Sequence, residues 1–178
     1  TNIVDYVTIA STGNALDFGN LSQNNWTFSA VASTTRAIRG GGTGPRVNII
    51  EYFTISSTGD ATDFGDLTVT RSDAFEGSGG SSTRGMFIGG NTGSLSDVVD
   101  YITIGSAGDA ADFGDLTAAS SNGGTASNSI RAVTGGGGDP STVNTIEYFT
   151  IASTGDATDF GDLTVARQGS SGTANGHG

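Results

Sequence analysis

Apolar and aromatic residues occur in short runs along the chain, separated by turns, and no run has the 3.6-residue period of an amphipathic helix. The run Ile49 to Ile55 is rich in β-branched and aromatic residues, which favour strands. Ser57 to Asp60 follows it as a hairpin loop, with Gly59 where a positive φ is needed. A second strand is predicted over Ala61 to Thr68. The pattern predicts an all-β fold.

The predicted strands carry apolar side chains on both faces. On the first strand, Ile49, Phe53 and Ile55 point to one face, while Ile50 and Tyr52 point to the other. A sheet with one face in water shows a polar face instead. We therefore expect each sheet to be covered by neighbours on both sides.

One block of twenty residues recurs four times with little change. Its copies are Asn2 to Leu21, Asn48 to Leu67, Asp97 to Leu116 and Asn144 to Leu163. Their tyrosines, Tyr6, Tyr52, Tyr101 and Tyr148, are spaced by 46, 49 and 47 residues. The chain is therefore predicted to be a single repeat domain, 1–178, with units at about 1–47, 48–96, 97–143 and 144–178, of which the last is incomplete.

A second, looser element lies between the copies of this block. It is an arginine strand that ends in glycines, as in Arg131 to Gly135, with a weaker fourth strand over Ser120 to Ser127. Four-stranded propeller blades have periods of about 40–50 residues. Glycines at the end of a strand suit a crowded place where backbones approach closely. The predicted architecture is a β-propeller of four-stranded blades about 47 residues long.

The order of these elements resembles the kelch repeat. Kelch blades carry a strand that ends in a double glycine, then a tyrosine strand, then a tryptophan strand; here Gly40 to Gly42, Tyr52 and Phe64 follow in that order. Arg71 and Arg167 stand where kelch repeats often have an arginine. Phe in place of Trp, and Ile88 at the first glycine position of its strand, make the chain kelch-like. The whole chain is also similar to uncharacterised repeat proteins of marine bacteriophage virions, which implies a structural or attachment role.

The two ends of the sequence do not match. The sequence begins at a tyrosine strand and ends at His177 and Gly178, where the next arginine strand is due, so four hairpins are accompanied by three glycine strands. Such an arrangement leaves a strand edge unpaired. We expect the natural polypeptide to continue, or another copy of the chain to supply the strand. Thr1 in place of Met also predicts a piece processed or excised from something longer.

The composition excludes several classes of function. Eighteen acidic residues face seven basic ones, for a net charge of −11, which disfavours binding to nucleic acid or to an anionic membrane. The absence of cysteine excludes disulfides, zinc–thiolate sites and thiol catalysis. The single histidine, His177, makes a histidine-based triad or metal cluster an unpromising hypothesis. No apolar run is long enough to cross a membrane as a helix.

Aspartates recur around each hairpin and are candidates for a Ca²⁺ site. They are Asp60, Asp63 and Asp66, then Asp109, Asp112 and Asp115, then Asp156, Asp159 and Asp162. Ca²⁺ takes six to eight oxygen ligands, but this spacing does not match the known calcium loops. The first unit has Asn14, Asp17 and Asn20 and keeps one acid. Capping of turns by the aspartates is the favoured interpretation.

The repeated arginines Arg36, Arg84 and Arg131 have two interpretations. They can form a ring of positive charge for an anionic sugar, or each can pair with an acid of a neighbouring blade. The candidate acids are Asp5, Glu51, Asp100 and Glu147. Pairing is the favoured interpretation. Trp26, the single tryptophan, can stack on a sugar ring, but is predicted to fill part of the core.

The sequence predicts a protein that is not an enzyme, because no nucleophile, base and orienting group occur together. No catalytic, cofactor-binding or metal-binding residue is assigned. Asp73 and Glu76 break the repeat and are the one support for a hydrolase. We expect a virion component, such as a tail-fibre or decoration protein, which presents variable loops such as Gly42 to Val47 and Gly136 to Val143. The expected partners are other virion proteins, further copies of the chain or a host-surface glycan; the alternative is a lectin-like propeller.

Overall fold

Thirteen strands form the described part of the chain, which in this computed structural model comprises residues 1–77, 79–138 and 141–173. The strands are β1 (Ile3–Tyr6), β2 (Leu16–Asn20), β3 (Ser29–Ala32), β4 (Arg36–Gly40), β5 (Val47–Thr54), β6 (Thr62–Arg71), β7 (Arg84–Ile88), β8 (Val98–Thr103), β9 (Ala111–Asp115), β10 (Gly124–Ser127), β11 (Arg131–Gly135), β12 (Thr145–Thr150) and β13 (Thr158–Asp162). No described residue is helical, so no helix there could span a membrane. The all-β prediction is confirmed.

The strands pair antiparallel in four sheets, in the order of the chain. The first sheet is β1–β2, the second β3–β6, the third β7–β9 and the fourth β10–β13. An isolated bridge between Gly80 and Gly85 extends the third sheet beyond β7. The predicted third and fourth strands of the last complete unit lie at β11 and β10. The strand predicted over Ser120 to Ser127 begins only at Gly124, and β6 extends to Arg71, three residues past its predicted end.

The hairpins and glycine strands are present in the numbers expected. The four hairpins are β1–β2, β5–β6, β8–β9 and β12–β13, and the three glycine strands are β4, β7 and β11. The sheets do not coincide with the sequence units, because each glycine strand pairs with the tyrosine strand that follows it. The first sheet thus consists of a hairpin alone.

Two cores lie between successive sheets. The core between the second and third sheets contains Val31, Ile38, Ile50, Phe64, Leu67, Phe87, Ile102 and Ile104. The core between the third and fourth sheets contains Phe75, Met86, Ile88, Val99, Phe113, Leu116, Ala132, Phe149 and Ile151. The third sheet contributes to both cores, so both of its faces are covered, as the apolar pattern predicts.

The linkers between sheets form a ladder of backbone hydrogen bonds. The N–H of Asp73 donates to Thr27 at 3.0 Å, that of Asn122 to Asp73 at 3.0 Å, and that of Gly169 to Asn122 at 2.8 Å. All four residues have φ between 53° and 65°. This region is allowed to Gly, tolerated by Asn and Asp, and costly for a β-branched residue such as Thr27. The ladder fixes the spacing of the sheets along one line.

The outer faces of the first and last sheets are open. Ile9 and Phe160 are 98% and 56% exposed, whereas their counterparts Ile151 and Phe113 are each 2% exposed. The described architecture is thus a series of four packed sheets with two uncovered ends.

Candidate functional site

The Asp-Phe-Gly triplet of every hairpin lies at a β-bulge. In the third sheet Val99 pairs with Gly114 and Asp100 with Asp112, so Phe113 has no partner on the neighbouring strand. The same irregularity occurs in the other three hairpins. A bulge leaves the extra residue outside the ladder and turns its backbone groups away. The phenylalanine carbonyl is therefore free to bond to another sheet.

That carbonyl binds the hairpin loop of the next sheet. Phe18, Phe64 and Phe113 accept hydrogen bonds from the N–H groups of Gly59, Gly108 and Gly155, each at 2.7 Å. The close contact explains the glycine of the triplet. A Cβ on Gly114, whose φ is +144°, would lie 2.5 Å from the carbonyl carbon and oxygen of Gly155. We call this contact, in which the phenylalanine carbonyl of one hairpin accepts the glycine N–H of the next hairpin loop, the joint. The joint occurs at all three boundaries between sheets.

The first aspartate of each cluster completes this joint. Asp60 Oδ1 accepts the N–H of Asn20 at 2.9 Å, and Asp109 and Asp156 accept those of Asp66 and Asp115 at 3.1 Å. The aspartates were predicted to cap turns; these three instead accept N–H groups at strand ends of the preceding sheet. Among the described residues, no three His, Cys, Asp or Glu side chains are grouped so that they could hold a metal ion.

The prediction that Arg36, Arg84 and Arg131 pair with acids is wrong. Their guanidinium groups stack on the tyrosine of the same sheet, with 4.4, 4.4 and 4.5 Å between the guanidinium carbon and the ring centroid. Arg36 also donates to the carbonyl of Ile104 at 2.7 Å, and Arg84 to that of Ile151 at 2.6 Å, in the next sheet. The tyrosine faces hold these cations by cation–π attraction. Arg131, on the last sheet, is exposed.

Other arginines pair with the buried acids. In the second sheet Arg39 donates to Glu51 Oε2 at 2.6 and 3.0 Å. Between the second and third sheets, Arg71 donates to Asp100 Oδ2 at 2.7 Å. Both pairs are nearly inaccessible to water. The sequence places Arg71 where kelch repeats often have an arginine, but it does not predict the partner of this arginine.

The Arg71–Asp100 pair is strongly desolvated. Burial raises the pKa of Asp100, against the opposing effects of Arg71 and of hydrogen bonds from Thr68. Burial likewise lowers the pKa of Arg71, against the attraction of Asp100. Removing one member of such a pair leaves a buried, uncompensated charge. The pair therefore works as a joint between two sheets and not as an accessible reactive group.

The fourth sheet buries Glu147, and no described residue forms an ion pair with it. Glu147 is 6% exposed and accepts hydrogen bonds from the hydroxyl and the N–H of Thr117. A cavity of about 60 Å³ lies beside it, between the third and fourth sheets. The wall of the cavity includes Ser120, whose buried hydroxyl has no hydrogen-bond partner.

Trp26 does not fill the core, and that prediction is wrong. Its side chain is 55% exposed. The ring packs on Gly44 in the loop Gly42 to Val47, where a Cβ would lie 2.8 Å from two ring carbons. An exposed tryptophan ring on a loop surface has an apolar face on which a sugar ring can stack.

Asp73 is part of the linker ladder, and Glu76 lies three residues after it. Glu76 exchanges backbone hydrogen bonds with the fourth sheet, accepting from Thr125 at 2.6 Å and donating to Gly123 at 2.8 Å. The Asp73 carboxylate accepts the hydroxyl of Ser72 at 2.8 Å. These two residues, which differ from the repeat in sequence, thus make contacts that connect parts of the fold. His177 and parts of the loop Gly136 to Val143 lie outside the described residues.

The two open ends carry complementary halves of the joint. The last sheet exposes Phe160, Thr164 and Arg167, which correspond to Phe64, Thr68 and Arg71. The first sheet exposes Asp5 and Asn14, which correspond to Asp100 and Asp109. Comparison with known proteins identified no matching family model and no similar curated protein.

Proposed function

We propose that this protein is a non-enzymatic structural scaffold, a kelch-like β-propeller of a bacteriophage virion that presents its loops for attachment. The observation that carries the proposal is the joint repeated at three sheet boundaries, with its two halves exposed at the ends. At the second of these boundaries the buried ion pair Arg71–Asp100 lies beside the joint. A scaffold needs such rigid joints, whereas an active site needs accessible groups.

Further copies of the chain are the partners that the ends fit best. In such a contact, Arg167 would face Asp5 of a second copy, as Arg71 faces Asp100, and Thr164 would donate to the same carboxylate, as Thr68 does. Contacts of this head-to-tail kind form a ring if the rotation closes and a filament if it does not. The propeller hypothesis corresponds to the closed ring.

A charge exchange tests this contact. The wild-type chain is expected to associate with increasing concentration, as measured by light scattering after size exclusion. Arg167→Asp and Asp5→Arg should each raise the dissociation constant at least about thirtyfold, the effect of about 2 kcal/mol at a close charge pair. The double variant Asp5→Arg/Arg167→Asp should restore association, because the opposite charges face each other again. A wild-type chain that stays monomeric would overturn the contact, as would equal association of all four proteins.

The attachment role requires binding by the loops rather than by the scaffold. Labelled chain should bind saturably to cells of a susceptible marine bacterium, and antibodies to the chain should label phage particles by immunogold electron microscopy. Replacement of Gly42 to Val47 by the loop of another unit should reduce cell binding without changing the circular dichroism spectrum. Labelling of cells but not of particles would refute the virion assignment.

A lectin is the second candidate, and the exposure of Trp26 favours it. An exposed indole can bind the apolar face of a sugar ring. On a glycan array the wild-type chain would then show selective binding, and Trp26→Ala would lose it. Phe28→Ala is a matched control, since Phe28 is also partly exposed, at 37%. An array without selective binding would leave the scaffold proposal in place and remove the lectin.

A further inference from the structure

The three sheet boundaries bury a carboxylate at the same position of the tyrosine strand. These carboxylates belong to Glu51, Asp100 and Glu147, and they are 2%, 0% and 6% exposed. Each pairs in register with one residue of the glycine strand: Arg39, Phe87 and Thr134, respectively. The boundaries can therefore be compared residue by residue.

Two of the three positions contain a guanidinium group, supplied by different strands. Arg39, from the glycine strand, donates to Glu51 and to the carbonyl of Gly41 at 2.8 Å. Arg71, from the preceding sheet, donates to Asp100 and to the equivalent carbonyl of Gly89 at 3.0 Å. The groups around the carboxylate thus accommodate a guanidinium that comes either from the glycine strand or from the preceding sheet.

At the third boundary neither arginine is present. Thr134 occupies the position of Arg39, and Ser120 occupies that of Arg71. Within the described residues, the ion pairs are those of Arg39 and Arg71 alone, so Glu147 has no cationic partner. The shorter side chains leave the cavity of about 60 Å³ beside its carboxylate.

The cavity has the same acceptors that bind Arg71. Nη1 of Arg71 donates to the carbonyls of Phe87, Gly89 and Val98 at 3.2, 3.0 and 2.8 Å. The equivalent residues of the fourth sheet are Thr134, Gly136 and Thr145, and all three line the cavity together with Glu147. The unpartnered hydroxyl of Ser120, a residue only 7% exposed, belongs to the same wall. A carboxylate and several carbonyls together suit a planar cation with many donors.

We propose that this cavity binds a compact cation of the guanidinium class, such as guanidinium itself or the end of an arginine-like ligand. A buried carboxylate without a cationic partner is unfavourable, so a cation that enters is stabilised by charge as well as by hydrogen bonds. The cavity of about 60 Å³ is larger than the roughly 10–15 Å³ that one water molecule needs, so it has room for a small group such as a guanidinium. The net charge of −11 raises the local cation concentration.

Thermal unfolding in millimolar guanidinium chloride tests the proposal, with sodium chloride at equal ionic strength as the reference. Far below denaturing concentrations, guanidinium should raise the melting temperature of the wild-type chain by about 2–4 °C and saturate. Ser120→Arg supplies the group covalently and should remove the response while raising the melting temperature itself. Glu147→Gln should also remove the response, because the charge that holds the cation is gone.

A crystal soaked in guanidinium chloride gives a second measurement that does not depend on the variants folding. Planar density beside Glu147, within hydrogen-bond distance of the Gly136 carbonyl, is expected. The proposal is overturned if the cavity holds water alone after the soak. It is equally overturned if guanidinium changes the melting temperatures of the wild-type chain and Ser120→Arg alike. Neither readout depends on virion location or on self-association.

Discussion

The middle of the molecule and its two ends are built from the same sequence motif but differ in burial. Phe113 and Phe160 occur in the same triplet, yet they are 2% and 56% exposed. Ile104 and Ile151 are each 2% exposed, whereas Ile9, their counterpart in the first hairpin, is 98% exposed. The difference shows that burial in this repeat comes from the adjacent sheet and not from the hairpin itself.

The polar groups show the same contrast. The N–H of Asp115 is capped by Asp156 of the next sheet, whereas its counterpart Asp162 lies on the last sheet, which no further described hairpin follows. Arg71 is fully buried against Asp100, whereas the guanidinium of its counterpart Arg167 is exposed and donates to the carbonyl of Val165 at 3.3 Å. Each boundary therefore depends on two half-joints, one from each sheet.

The largest expected difference is between the two phenylalanines. Phe113→Ala should lower the free energy of unfolding by about 3–5 kcal/mol, because it opens a cavity in a closed core. Phe160→Ala should cost less than about 1 kcal/mol for the isolated chain, because that ring is already in water. Urea unfolding followed by circular dichroism measures both values. Equal losses would show that the last sheet is covered in solution.

A smaller difference is expected between two glycines with nearly the same backbone. Gly114 and Gly161 have φ of +144° and +138°, so an alanine strains both by about 1–3 kcal/mol. Only Gly114→Ala also pushes a Cβ against Gly155; a Cβ at Gly161 meets nothing within 4 Å. Gly114→Ala should therefore be the less stable variant by a further 1–3 kcal/mol, roughly the cost of overpacking. The comparison fails if their melting temperatures agree.

The smallest effect concerns pH. Partial desolvation and the carboxylates of Asp97, Asp156 and Asp112 raise the pKa of Asp115. A raised folded-state pKa means that the folded chain binds this proton more tightly than the unfolded chain. Its contribution to stability is thus present below the ordinary pKa and is lost as pH rises through the raised value.

Asp115→Asn should consequently flatten the fall in stability between about pH 4 and 6, the range just above the ordinary carboxyl pKa. Asp162→Asn is the matched control, because no following hairpin faces it in the isolated chain. Melting temperatures measured across this range at constant ionic strength compare the two. An equal change of slope in both variants would attribute the effect to net charge rather than to the boundary between sheets.

The strands and the repeat could be read from the sequence because both are local. Alternation of apolar residues, the glycine of each hairpin loop and the spacing of the tyrosines are visible within one unit, and the observed strands follow them. The bulge at Asp-Phe-Gly was not predicted, although a glycine inside a strand pattern is its usual sign.

The partners of the arginines could not be predicted in the same way. Arg36 lies next to Tyr52 because β4 and β5 pair in register, and that register depends on the intact sheet. Arg71 reaches Asp100 across 29 residues and a sheet boundary. No spacing along the chain distinguishes these partners from the acids nearby. Trp26 was misplaced for a related reason, since the equivalent positions of the next two units are Ser72 and Ser121 and no repeated aromatic residue marks the position.

The order of the inter-sheet bonds has a consequence for biosynthesis. In each joint a later hairpin donates Gly N–H groups to carbonyls of an earlier one, so every new unit meets a surface that is already complete. A ribosome adds about 47 residues in roughly 2–9 s at 5–20 residues per second, whereas a hairpin forms in microseconds. The nascent chain can therefore fold one sheet at a time, and each folded sheet provides the surface on which the next sheet packs.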